Sequence, residues 1–294
     1  MNLFTYGDSW TAGDGISKHS VRHCKCGKVS GGAHIKKYNW PGRLGELLNV
    51  QEVFNRSWGG ISNYRLVDYF IEDSRMIKKE DIVVFGLTDP QRLTFWCDGK
   101  DSKVWLKDSP RGYSSDRVTK ESLPSHADKA IDVNFVDLLG SDKENILFKI
   151  GLFDERWMIY NLWLHIVVIQ EICKKIGCKY YIFAPFFNIF WSDLRNKELF
   201  DFSKPPISFS KIIDYKHISK KSATEEVLMK DNKRIKSLFA MGEVGGPPLL
   251  TNKYPIKKKW GNGPWPTNKH PNEDGYFEIA KWVYKKLGEL DVSE

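Results

Sequence analysis

Four short segments of the chain carry side chains that could act together as a nucleophile, a base and a binding site for a negatively charged oxygen. In chain order they are Gly7-Asp8-Ser9, Gly59-Gly60-Ile61-Ser62-Asn63, Gly86-Leu87-Thr88-Asp89 and His270-Pro271-Asn272. A serine at the turn from a strand into a helix has an exposed hydroxyl, and its N–H lies where a helix favours negative charge. A histidine can take the serine proton, while a glycine N–H and a polar side chain can bind the oxyanion. These residue types indicate nucleophilic chemistry shared between Ser9 and His270.

Such chemistry requires a fold that brings the four segments together, and the pattern of strands and helices predicts one. Apolar, β-prone runs at residues 3–6, 53–54 and 82–85 end shortly before the first three segments. A further strand is predicted at 180–183, and an amphipathic helix at about 272–287 follows the histidine. Strands that alternate with helices form a parallel sheet, and ligands bind at the carboxyl ends of its strands. We predict an α/β fold, a three-layer doubly wound parallel sheet.

The remaining sequence predicts one domain, residues 1–294, with two large insertions at about 91–153 and 186–266. No repeat, low-complexity tract or linker divides the chain. Aromatic residues concentrate in the second insertion and in the Gly- and Pro-rich approach to His270, where Trp265 is the candidate for contact with a substrate. The alternative for most of these aromatics is that they pack the insertion onto the sheet.

The four segments resemble motif blocks of the SGNH, or GDSL-like, hydrolase superfamily, and the resemblance extends over nearly the whole chain. The first block appears in Tyr6-Gly7-Asp8-Ser9-Trp10, so Ser9 resembles the family's nucleophile. The second block implies that Gly60, with Gly59 as the alternative, donates its N–H to the oxyanion. The third block implies the same role for Thr88, and the fifth block implies that His270 is the base.

Two positions depart from the family's pattern. Thr88 stands where the family has an asparagine, although a hydroxyl can still donate one hydrogen bond. No carboxylate lies two or three residues before His270, where the family has the aspartate that orients the base. Three explanations stay open: Asn268 or a backbone carbonyl orients the ring in a Ser-His dyad, a distant carboxylate such as Asp193 or Asp274 does so, or the site is catalytically weak.

The resemblance implies a flavodoxin-like serine esterase or acyl hydrolase that requires no metal and no organic cofactor. Its substrate would be a small molecule or a glycan with an acyl ester, such as an acetylated carbohydrate. Asp8 and Asp89 would hold their own turns rather than do chemistry. The Thr88-Asp89 variant resembles versions carried by bacteriophage genomes, which implies action on host surface glycans. The alternative function is a binding or phage structural protein that keeps the fold with an impaired site.

A cluster of potential zinc ligands follows the first segment, and its members are His19, His23, Cys24, Cys26 and His34. Thiolates and imidazoles are ligands that zinc favours. The Cys24-Lys25-Cys26 pair, however, lacks the usual two-residue spacing, and no second cysteine pair follows at the spacing of a zinc finger. We predict a loop without a metal, and a structural zinc site is the alternative.

Charge and hydropathy argue against several other classes of protein. The 45 basic residues exceed the 37 acidic ones by 8, but the lysines are dispersed and only residues 257–259 form a run of three, so no nucleic-acid surface is predicted. The most apolar stretch, residues 157–172, is broken by polar residues and falls short of the ~20 apolar residues of a membrane span. The first residues contain no signal region, so we expect a cytosolic protein as synthesised, virion-associated if a phage encodes it. No oligomeric state is predicted.

Overall fold

The computed structural model describes residues 1–13, 16, 36–57, 61–88, 90, 92–96, 130–134, 155–185, 212–219, 221–228 and 270–291. Within these ranges the strands are β1 (Leu3–Gly7), β2 (Val53–Ser57), β3 (Ile82–Gly86), β4 (Arg92–Trp96), β5 (Ala130–Asn134) and β6 (Lys179–Phe183). The α-helices are α1 (Ser9–Ala12), α2 (Trp40–Leu48), α3 (Asn63–Asp73), α4 (Glu155–Ile176) and α5 (Glu273–Asp291). A 3₁₀ turn covers Tyr215–His217, and a π-helical turn covers Thr224–Leu228.

The central sheet is parallel and has the strand order β2-β1-β3-β6. Gly7 at the end of β1 is in register with Ser57 of β2 and with Gly86 of β3, and Gly86 is in register with Phe183 of β6. The strands therefore end at one edge of the sheet, and the segments that follow them start side by side. The predicted parallel sheet is confirmed.

Helices cover both faces of this sheet. Because successive residues of a strand point to opposite faces, Phe4 and Tyr6 of β1 belong to one hydrophobic core and Leu3 belongs to the other. Helices α3 and α4 supply the first core, and helices α2 and α5 pack together over the second. Every residue of β1 and β3 is buried, as expected for strands that are covered on both sides. The structure confirms the three-layer, doubly wound arrangement.

Polar side chains set where the helices begin. Asn39, Ser62 and Asn272 each accept a hydrogen bond from a backbone N–H in the first turn of α2, α3 and α5 respectively. Helix α4 ends at Ile176, and the next residue, Gly177, has a φ of 77° and therefore occupies the left-handed region that favours glycine. These caps fix the helix ends that lie next to the strand ends.

The described parts of the two predicted insertions are attached to the fold in different ways. Strands β4 and β5 pair antiparallel in a separate two-stranded sheet, which the mixed periodicity of residues 91–153 did not predict. In the second insertion, the Ser219 N–H donates to Ile182 O at 2.9 Å and the Ala223 N–H donates to Ala184 O at 3.1 Å. This segment therefore lies beside β6. The single-domain organisation and the bounds of the insertions stay predictions.

The most apolar stretch of the sequence forms part of α4, and it is a core helix. Leu162, Trp163, Ile166 and Ile169 of this helix are at most 1% exposed. In the part of the chain that the structure describes, no helix is long and apolar enough to span a membrane.

Candidate active site

Ser9 lies at the first position of α1, directly after β1. Asp8 caps this short helix: its Oδ1 accepts the Trp10 N–H at 3.0 Å, and its backbone carbonyl accepts the N–H groups of Thr11 and Ala12. The Ser9 side chain is 8% exposed, so only a small part of it meets solvent. The predicted turn from a strand into a helix is present, and it presents Ser9 at the carboxyl edge of the sheet.

His270 contacts Ser9 directly. The His270 Nε2 lies 2.8 Å from the Ser9 Oγ, although the two residues are 261 positions apart in the sequence. His270 is half-buried and lies just before Asn272, whose side chain accepts the Gly275 N–H at 2.9 Å and thereby caps α5. In the neutral tautomer with its proton on Nδ1, the ring can accept the Ser9 hydroxyl hydrogen at Nε2. This is the geometry of a nucleophile and its general base.

The Trp10 ring lies beside the imidazole of His270. Its ring centroid lies 6.2 Å from that of His270, with 46° between the ring planes. Trp10 is 3% exposed and belongs to the core under α2 and α5. Because Trp10 follows Ser9 in α1, the same short helix positions the hydroxyl and limits the movement of the ring.

The Ser9 backbone offers a donor for a negatively charged oxygen. Among the described residues, no acceptor contacts the Ser9 N–H, whereas the N–H groups of Trp10, Thr11 and Ala12 are all bonded to Asp8. An N–H in this place can donate to an oxyanion without first breaking a hydrogen bond. Gly60 and its alternative Gly59, which the motif predicts as the second donor, lie outside the described residues.

Thr88 lies close to the site, but its hydroxyl has a partner within the protein. The Thr88 Oγ1 donates to Asp8 Oδ2 at 3.3 Å, and the side chain is fully buried. Since a threonine hydroxyl carries one hydrogen, the hydrogen bond to Asp8 competes with a bond to an oxyanion. The oxyanion role of Thr88 stays a prediction. Asp8 bonds within its own turn and to Thr88, while Asp89 is not among the described residues.

Asn63 also lies in this region, although the sequence pattern predicts no role for it in the site. Its Nδ2 donates to Thr88 O at 2.7 Å, and its Oδ1 accepts the Thr88 N–H at 2.9 Å. Asn63 is 4% exposed. The sequence holds one local indication of this role. Because Ser62 caps α3, the side chain of Asn63 at the next position is not needed as the cap and can bond to another segment.

Helix α1 packs closely against the ends of β1 and β3, beneath Ser9. Thr11 is fully buried against Gly7 and Gly86, and a Cβ atom at Gly86 would lie 2.8 Å from the Thr11 Oγ1. A Cβ atom at Gly7 would overlap the same hydroxyl. The Asn55 Nδ2 donates to Thr11 O at 3.1 Å, and the Asn39 Nδ2 donates to Ala12 O at 3.3 Å. These contacts fix α1, and with it Ser9, to the strand ends.

A buried ionic cluster joins β1 and β2 to α3. The Tyr6 hydroxyl donates to Asp73 Oδ2 at 2.9 Å, and Arg56 donates to both carboxylate oxygens of Asp73, also at 2.9 Å. Burial, and then the Asp73 charge, raise the pKa of Tyr6 well above its ordinary value, while the hydrogen bond to Asp73 raises the pKa of Arg56. Tyr6 therefore stays neutral and Arg56 stays charged, which suits a structural role.

Several predicted residues lie outside the described part of the chain. They are Asn268, Asp193, Trp265 and the cluster His19, His23, Cys24, Cys26 and His34. Asp274 is described and is exposed on the first turn of α5. The three explanations for the orientation of His270 therefore stay open. Among the residues that the structure does describe, no group of three or more His, Cys, Asp or Glu side chains could hold a metal ion.

Comparison with known proteins adds one structural similarity. The sequence matches no protein-family model and no curated protein. Among solved structures, the chain is similar to a protein from Desulfitobacterium hafniense DCB-2 that is described as a lipolytic protein of the G-D-S-L family. The TM-score is 0.39 and the sequence identity is 14%, over 97% of this chain and 98% of that one.

Proposed function

We propose that the protein is a serine esterase that hydrolyses an acyl ester with Ser9 as nucleophile and His270 as general base. The observation that carries the proposal is the 2.8 Å contact between His270 Nε2 and Ser9 Oγ at the carboxyl edge of a parallel sheet. That edge is where α/β proteins of this class bind ligands. The Ser9 N–H, which has no acceptor among the described residues, supports the proposal independently because it can stabilise an oxyanion.

In the first half of the reaction, the Ser9 Oγ attacks the carbonyl carbon of the ester while His270 Nε2 takes the hydroxyl proton. The N–H groups of Ser9 and Gly60 donate to the oxyanion of the tetrahedral intermediate, with Thr88 as the predicted third donor. The bond to the alcohol oxygen then breaks, and His270 gives its proton to that oxygen. The alcohol leaves, and the acyl group remains on Ser9.

In the second half, a water molecule attacks the acyl carbon and gives a proton to His270. The second tetrahedral intermediate collapses with cleavage of the bond to Ser9 Oγ, and His270 returns the proton to that oxygen. The carboxylic acid leaves and the starting state is restored. Every proton moves through His270, and no metal or organic cofactor takes part.

We propose a small acyl group on a carbohydrate as the substrate, with Trp265 in contact with the sugar. The support is compositional: aromatic residues concentrate in the sequence that approaches His270, and an aromatic ring suits stacking on a sugar ring. A bacteriophage origin, a virion-associated location and the absence of nucleic-acid partners stay predictions of the sequence.

Hydrolysis of p-nitrophenyl acetate tests the proposed reaction. We expect Ser9→Ala and His270→Ala each to lower kcat/KM by about 10³-fold or more, since members of a catalytic pair act as a unit. Ser74→Ala is the matched control, because the Ser74 hydroxyl donates to Ile71 O at the end of α3, away from the site, and its loss should leave the rate unchanged. Wild-type hydrolysis no faster than that of Ser9→Ala would contradict the proposal and favour the alternative, a binding protein with an impaired site.

A further inference from the structure

A chain of hydrogen bonds that starts at Asn63 and runs through Thr88 to Asp8 connects three strand-end segments of the site. We propose that Asn63 is a positioning residue, which acts through Thr88 on Asp8 and thereby sets the turn that presents Ser9. The catalytic meaning of this inference rests on the proposed function, because it describes how that active site is held. Neither Asn63 nor the Asp8 contact of Thr88 belongs to the set of reacting groups described above.

The side chain of Asn63 pairs with the backbone of Thr88. The side-chain amide both donates to Thr88 O, at 2.7 Å, and accepts the Thr88 N–H, at 2.9 Å. Two hydrogen bonds from one planar amide to the N–H and the C=O of the same residue fix the position and the orientation of the Thr88 backbone. Asn63 therefore ties the start of α3 to the segment that follows β3.

Thr88 in turn contacts the Asp8 carboxylate. Its hydroxyl donates to Asp8 Oδ2 at 3.3 Å, while Asp8 Oδ1 accepts the Trp10 N–H at 3.0 Å. A carboxylate cannot donate, so the hydrogen in the first of these bonds comes from Thr88. The position of Thr88 therefore helps to set the orientation of the Asp8 carboxylate, and Asp8 caps the helix whose first residue is Ser9.

Burial makes these contacts effective. Asp8 and Thr88 are fully buried, Asn63 is 4% exposed and Trp10 is 3% exposed. A buried group that loses its partner is left without the hydrogen bond that water would otherwise supply, so these groups are strongly constrained to stay paired. A change at Asn63 should consequently reach Ser9 through Thr88 and Asp8.

The substitution Asn63→Asp removes the donor while it keeps the shape of the side chain. A carboxylate oxygen would then face Thr88 O, and two acceptors repel each other at that distance. We expect kcat for p-nitrophenyl acetate to fall by about 10-fold to 100-fold, with KM changed by less than about threefold, because displacement of the reacting groups chiefly affects the chemical step. We also expect the Trp10 amide hydrogen to exchange with solvent about 10-fold faster, since its acceptor is less firmly held.

The chain offers a matched control at Gln170. This fully buried amide makes the same paired contact with a backbone, donating to Asp214 O at 2.9 Å and accepting the Asp214 N–H at 3.3 Å. Gln170→Glu should lower the Tm to a similar extent as Asn63→Asp, but it should leave kcat and Trp10 exchange unchanged. A general loss of stability is thereby separated from a local effect on Ser9.

A second pair of variants distinguishes positioning by Thr88 from direct contact with the oxyanion. Thr88→Val removes the hydroxyl, and we expect it to accelerate exchange of the Trp10 amide hydrogen. Thr88→Ser keeps the hydroxyl and should restore most of the protection against exchange that is lost in Thr88→Val. If Trp10 exchange is unchanged in both Asn63→Asp and Thr88→Val, the inference is overturned. Faster exchange with an unchanged kcat would also overturn it. If wild-type protein hydrolyses no ester, the proposed function fails separately, and Trp10 exchange still decides whether Asn63 sets the turn.

Discussion

At the scale of single residues, the two proposed reacting groups, Ser9 and His270, owe their contact to the ends of secondary-structure elements. Ser9 follows β1 and begins α1, while His270 lies just before α5. Helix α5 packs with α2 on the face of the sheet that also buries Trp10. The 2.8 Å contact between Ser9 and His270 therefore depends on the register of β1 and on the placement of α5.

Asp8 provides a prediction at this scale, because its carboxylate accepts hydrogen bonds from both the Trp10 N–H and the Thr88 hydroxyl. Asp8→Ala would leave a buried N–H and a buried hydroxyl without their acceptor. We expect the free energy of unfolding, measured by urea denaturation, to fall by about 2 kcal/mol. We also expect kcat/KM for p-nitrophenyl acetate to fall by about 10-fold or more, since the turn that holds Ser9 loses its cap.

Asp81 gives the control for this prediction. It is 1% exposed and accepts the N–H groups of Asn2 and Lys78, at 2.7 and 3.0 Å, at the opposite edge of the sheet. Asp81→Ala should therefore lower stability by a comparable amount and leave catalysis unchanged. Equal losses of activity in the two variants would show that Asp8 acts through stability alone.

The residues of the site differ in how far the sequence could predict them. Ser9 and His270 are predictable, because each lies within a short motif beside a strong strand or helix pattern. Asn63 is not, since its role depends on hydrogen bonds to Thr88, 25 positions later in the chain. Thr88 is intermediate: its presence at a strand end is predictable, but its contact with Asp8 arises only when β1 and β3 lie side by side.

At the scale of elements, the interface of α3 and α4 contains a partly buried titratable group. His165 of α4 contacts the Tyr64 ring edge to face, with 6.3 Å between centroids and 71° between ring planes. Its Nδ1 is buried and has no hydrogen-bond partner among the described residues. Burial lowers the pKa of His165 to about 4. The folded protein therefore holds this imidazole neutral over the mildly acidic range.

This lowered pKa predicts a loss of stability in acid. Below pH about 6.5 the unfolded chain binds a proton at His165 that the folded protein does not bind until pH about 4, so the free energy of unfolding falls as the pH falls between these values. His165→Phe removes this titration. Between pH 7 and pH 4.5, the free energy of unfolding of the variant should therefore fall by about 2 kcal/mol less than that of the wild type. Urea denaturation of both proteins at pH 7 and pH 4.5 measures the difference.

The comparison at pH 7 serves as the control, because there the two proteins differ only in packing. If both lose the same free energy of unfolding between pH 7 and pH 4.5, His165 is not a source of acid sensitivity.

The elements themselves follow from the sequence where periodicity is strong. The buried strands have continuous apolar runs, and the helices that cover them have clear apolar stripes. Their existence and their order along the chain are therefore predictable. Strands β4 and β5 are not, because the sequence around them has mixed periodicity and their pairing joins segments far apart in the chain.

At the scale of the whole molecule, one architectural feature accounts for the placement of the candidate site. The strands of the central sheet end at a common edge, so segments that are distant in the sequence become neighbours there. The hydrophobic cores on the two faces hold this edge in place, with α3 and α4 on one side and α2 and α5 on the other. The 45 basic residues, which exceed the acidic ones by 8, are dispersed along the sequence.

The most direct test of the central claim is covalent labelling of the intact protein with a fluorophosphonate, with the modified residue identified by mass spectrometry. Such a reagent reacts with a serine that is activated by a base and placed beside oxyanion donors. We predict one label per chain, located on Ser9, with the labelling rate lowered by about 10³-fold in His270→Ala. No label on Ser9, or a labelling rate that His270→Ala leaves unchanged, would contradict it.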